Sequence, residues 1–165
     1  MPEQQWKDNL SKMLIRLRTP EGRPKIAIVG LGYEMRGDNA AGVVIAHALQ
    51  PLADQCQNVV VIAAGAAPDH HIRLLRHAAP GLIVLVEAVE FDKPPGTIAW
   101  IPWSAAGSLM TATDTLMVFK RLVNQLHCEI ALIGIQPADT AVGAALSPEV
   151  RQAIDQVIKE LSLIF

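Results

Sequence analysis

Groups able to bind a cation or move a proton recur where apolar runs of the chain end. Asp38 and Asn39 follow "KIAIVG", His70 and His71 follow "VVVIAA", and Glu87 and Glu90 lie at the end of "GLIVLVEAVE". Asp114 opens the periodic stretch "DTLMVFKRLVNQL". Glu87 is the most informative, because a carboxylate at the mouth of a buried apolar run is costly unless paired, hydrogen-bonded or metal-bound. The alternative for it is a structural acid that caps a neighbouring helix N-terminus. Adjacent His70 and His71 point about 100° apart on a helix start, which suits an exposed helix start better than a shared ligand set. His47, His77 and His127 sit within or just after helical patterns and are read as structural.

Other chemistries are poorly supported. Gly30 and Gly32 follow an apolar run as a dinucleotide loop would, but the third glycine position is Met35. The second run also ends in Ala63 and Ala64, where a ribose-binding acid belongs. No serine lies in a glycine-flanked elbow, and neither Cys56 nor Cys128 follows a strand.

The elements that must position these groups alternate. "KIAIVG", "VVVIAA", "GLIVLVEAV" and "EIALIGI" are aliphatic runs suited to buried parallel strands. Between them "NAAGVVIAHALQPL", "DHHIRLLRHA" and "DTLMVFKRLVNQL" have helical periodicity. "GTIAWIPW", reached through "DKPPG", is expected at a sheet edge, and "SAAGSLMTATD" as a loop. The last helix has Ser147 as N-cap, Pro148 as first residue, and Ile154, Val157, Ile158 and Leu161 as its buried stripe. The expected fold is a single α/β domain, a three-layer α/β/α sandwich. Its mostly parallel, twisted, five-stranded sheet carries helices on both faces. In such a sheet the strand-end loops gather at one carboxyl rim. Residues 1–24 form an amphipathic helix (Trp6, Leu10, Leu14 and Leu17 on one face) and a linker, and residues 25–165 the domain.

With 165 residues, 51% hydrophobic and 18% charged, the chain is long enough for one core. A net charge of −2 without a basic run argues against nucleic acid. The absence of a signal-peptide pattern, a membrane-length apolar run or paired cysteines leads to the expectation of a soluble cytoplasmic protein.

The runs "KIAIVGLGYEMRGDNAAGVVIAHAL", "GAAP", "LIVLVEAVEFDKPPGTI" and "LIGIQPADTAVGAALSPEV" together resemble the hydrogenase maturation endopeptidases, in particular the formate-hydrogenlyase-type branch. The resemblance covers nearly the whole chain after residue 24. It implies a protease that removes a C-terminal peptide from a [NiFe] hydrogenase large-subunit precursor once nickel is inserted, acting as a monomer or weak homodimer. Nickel, borne by the substrate or weakly bound as a divalent ion, would be met by three side chains. By position these are Asn39, Glu87 and Asp114, where the family pattern carries an acid, an aspartate and a histidine. A fourth acid of the pattern is Ala63 here. Asp38, His70 and His71 are the additional candidates. An amide in place of one acid and a carboxylate in place of imidazole move the set towards harder ions and weaker nickel binding. The catalytically silent alternative is a homologue that binds or chaperones the precursor or another metalloprotein.

Overall fold

A computed structural model of the chain describes residues 2–109 and 114–165. The aliphatic runs form strands β1 (Ile26–Leu31), β2 (Val59–Gly65), β3 (Leu82–Ala88) and β5 (Glu129–Ile135), all parallel. Strand β4 (Ile98–Pro102) is antiparallel to β5, and the order across the sheet is β2-β1-β3-β5-β4. Every residue of β1 and β3 is buried, because helices cover both faces, so the two strands read as continuous apolar runs without alternation. The proline-rich turn delivers β4 to the edge, where Pro102 is tolerated despite lacking an N–H.

Successive strand residues enter two separate cores. Ile26, Ile28, Leu82, Val84 and Val86 pack with Trp6, Ile45 and Val157. Their neighbours Ala27, Val29, Ile83 and Leu85 pack with Leu75, Leu116 and Phe119. The first layer therefore holds α1 (Pro2–Arg16), α2 (Ala41–Ala48), α3 (Gln50–Gln55) and α7 (Pro148–Ile164). The second holds α4 (Ile72–Ala78), α5 (Trp103–Leu109) and α6 (Asp114–Val123). Trp6 and Leu10 are fully buried, so α1 is anchored in the first core. Among the described residues no helix is long and apolar enough to cross a membrane.

One local expectation is corrected. The start of "SAAGSLMTATD" is not a loop: the strand stops at Pro102 and the chain enters α5 at Trp103. Small residues gave this helix no visible apolar period. Ala106 is buried within it, and Trp103 meets Phe119 edge-on at 6.3 Å between ring centroids. The rest of that stretch, residues 110–113, lies outside the described residues.

Candidate functional site at the carboxyl rim

The loop after β1 is shaped by glycine for reasons unrelated to phosphate. A Cβ on Gly30 would overlap the Gly42 carbonyl oxygen, so this glycine lets α2 lie directly on the strand. Gly32 has φ +129°, and a Cβ there would strike the Asn39 carbonyl oxygen. The chain then makes a turn closed by Arg36 N–H donating to the Tyr33 carbonyl, with the Arg36 guanidinium 5.9 Å from the Tyr33 ring centroid. A 3-10 turn over Gly37–Ala40 follows and leads into α2.

Asp38, in that turn, is completely buried. Its Oδ2 accepts hydrogen bonds from the Ala138 and Asp139 backbone N–H groups at 2.8 and 3.0 Å and from the Ser147 hydroxyl at 2.9 Å. Its Oδ1 accepts one from the Ser147 backbone N–H at 2.7 Å. The Asp38 N–H in turn donates to the Asp139 carbonyl at 2.8 Å. Burial pushes the Asp38 carboxyl upward, but the hydrogen bonds from Asp139, Ser147 and Ala138 outweigh it and hold the group below the ordinary carboxylate value. Asp38 therefore ties the loop between β5 and α7 to the loop after β1. Ser147 stands at the N-cap of α7 as expected, yet its hydroxyl serves Asp38 and makes no capping bond. Asn39 is half-buried on the same pinned turn, which packs against the end of β3.

Glu87 is the next-to-last residue of β3, on the face whose preceding residues, Ile83 and Leu85, enter the second core. It is 1% exposed, and its Oε1 accepts a hydrogen bond from the hydroxyl of Thr115, itself 1% exposed. Thr115 is the second residue of α6 and Asp114 the first. The backbone carrying Asp114 thus lies one residue from the partner of Glu87. All three positions taken from the family pattern stand at one rim: Asn39 on the turn against β3, Glu87 at the strand end, and Asp114 at the start of α6.

The remaining candidates fall around this centre. Pro68–His71 is a 3-10 turn leading into α4 and packing near α6, with His71 half-buried and His70 exposed. The His70 Nε2 is 4.0 Å from Asp69 Oδ2. Among the described residues no three His, Cys, Asp or Glu side chains form a ready metal cluster. Glu90 accepts a hydrogen bond at 3.0 Å from the buried carboxamide of Gln136. The Oε1 of the same Gln136 side chain accepts from the Phe91 and Lys93 N–H groups at 2.9 and 3.3 Å, fixing the loop that leaves β3. Cys128 precedes β5 at the opposite end of the sheet. Burial and the adjacent Glu129 raise its thiol, which leaves it a poor nucleophile.

Thr115, Gln136 and the side-chain role of Ser147 were not apparent from sequence. The one available signal was Thr115 itself, a hydroxyl residue in the first turn of a helix beside Asp114, a candidate acid.

Against known proteins, the family described as hydrogenase maturation protease (HycI) matches residues 43–163. The hydrogenase 3 maturation protease of Escherichia coli K12 is 28% identical over 134 residues, covering 79% of this chain and 85% of its own. The crystal structure of the [NiFe] hydrogenase maturation protease HycI from Thermococcus kodakarensis aligns with a TM-score of 0.72 at 25% identity, covering 86% of this chain and 92% of that one. The maturating endopeptidase HybD of E. coli shares the fold at 19% identity, with a TM-score of 0.70 over 83% of this chain and 89% of its own.

Proposed function

Because the chain belongs to the hydrogenase maturation protease family, we propose that it removes a C-terminal peptide from a nickel-loaded [NiFe] hydrogenase large-subunit precursor. The observation that carries the reading beyond family membership is Glu87, a buried carboxylate kept at the end of an apolar strand on the functional rim. A carboxylate is retained in such a place when it has a charge or donor to meet.

In this reading Asn39, Glu87 and Asp114 face the nickel that the precursor carries. An amide and two carboxylates are hard oxygen donors, a set that competes poorly for nickel against softer or nitrogen ligands. That chemistry suits a protein that senses an ion already held by its substrate and leaves it there. It does not suit one that stores nickel of its own. The ion would polarise the scissile carbonyl or the attacking water. The protein's contribution is to present the oxygen donors from fixed backbone, since the Asp38 tie and the end of β3 hold the turn that bears Asn39. His70 and His71 are the nearby imidazoles available as added ligands.

The experiment is to mix the protein with nickel-loaded precursor and follow the C-terminal peptide by mass spectrometry. Release of the peptide, dependent on nickel in the precursor, is the expected outcome. Stable co-elution with the precursor without release would mean that the chain is a silent binding homologue.

A further inference from the structure

From the buried contact at the end of β3, we infer that Thr115 is a positioning residue for precursor cleavage. Its hydroxyl fixes the Glu87 carboxylate and locks the start of α6, the helix that begins with Asp114. The inference rests on the reading above, in which Glu87 meets the precursor's nickel.

Three observations carry it. First, both partners are 1% exposed, so the hydroxyl cannot fall back on water, and valine would fill the same space without needing an acceptor. Second, a threonine inside a helix commonly turns its hydroxyl to a carbonyl of the preceding turn. Here it reaches a strand end 28 positions earlier in the chain. The bond thus ties a helix to the sheet. Third, Glu87 carries its carboxylate on a flexible arm of two methylene groups, and a donor fixed on α6 removes the freedom of that arm, which is what a group awaiting an ion in a set geometry requires. The same bond places the backbone of Asp114, the preceding residue, relative to Glu87.

The test compares full-length wild type, Thr115→Val and Thr115→Ser on nickel-loaded precursor, together with amide hydrogen exchange in the first turn of α6. Thr115→Val should lower kcat by about 10- to 100-fold, the range for losing a group that orients a metal-facing ligand. KM should stay nearly constant, because Thr115 is buried and offers a bound peptide no surface. Exchange at the start of α6 should accelerate in the same variant. Thr115→Ser keeps the donor and should restore both. Wild-type kcat in Thr115→Val overturns the inference, even if exchange there has risen, because the bond would then only hold the helix. A Thr115→Ser variant as impaired as the valine one overturns it as well, by showing that shape and not the donor matters. Failure of the underlying reading looks different: wild type would release no peptide, or Glu87→Gln would cleave normally. In those cases unchanged exchange in Thr115→Val would independently remove the tether.

Discussion

Two carboxylates lie buried at the same rim and are held in different ways. Asp38 accepts three backbone N–H groups and one hydroxyl, all from residues 138–147. Glu87 accepts a side-chain hydroxyl from a helix, next to a second acidic residue. Backbone donors come with the fold and organise loops, whereas a side-chain donor can orient one group without dictating the path of the chain. Burial and charge alone would rank the two acids as equal candidates. Among the described contacts, the source of the donors distinguishes the two acids, and Glu87 is the one that we assign to chemistry.

Substitution of Asp38 should break the comparison most strongly. Asp38→Ala removes a fully buried acceptor and its four hydrogen bonds from part-buried donors, and we expect it to cost about 3–5 kcal/mol of folding stability. Urea unfolding measures this directly, and a loss under about 1 kcal/mol would contradict the architectural role. Glu87→Gln should do the reverse. The amide keeps an oxygen for Thr115 but removes the charge, so cleavage should fall by on the order of 100- to 1000-fold while the urea midpoint holds or rises. Parallel losses in stability and activity would place Glu87 in the same class as Asp38.

Acid titration sharpens the contrast further. The folded-state pKa of Asp38 is depressed. Its contribution is therefore complete above the unfolded carboxylate value and is lost as pH falls from there through the lower folded value. Stability of the wild type should decline across that acidic window, and Asp38→Asn should flatten the decline. The smallest expected effect is that of Ser147→Ala. It removes one of four donors to Asp38 and leaves the Ser147 N–H in place, a loss of about 0.5–1.5 kcal/mol by thermal or urea unfolding.

The layers of the fold were legible because they depend on local signals. Strands buried on both faces announce themselves as aliphatic runs, "DKPPG" demotes the following strand to an edge, and Ser147–Pro148 marks a helix start. Helix α5 was missed because "SAAGSL" has almost no apolar contrast, and its anchor is a contact between Trp103 and Phe119. At the site, the position of Glu87 was visible as a charge ending an apolar run. The function of Asp38 was not, because its partners lie 100 or more positions away. Its neighbour Asn39 looked equally polar in sequence, and only the tertiary pairing of two loops tells them apart. Thr115 and Gln136 were invisible for the same reason, since a threonine in a helix and a glutamine after a strand carry no mark of what they will face.

The span of the Asp38 tie also sets an order of events. The donors to Asp38 stand 100 to 109 positions after it, so no amount of local folding can complete the turn that bears Asn39. On a ribosome adding about 5–20 residues per second, Asp38 waits roughly 5–20 s for those partners to be synthesised. Until then its charge remains in water and the two loops stay apart. A nascent chain can build β1, β2 and β3 early, but the turn that bears Asn39 is tied down only once residues 138–147 have been made and have folded against it.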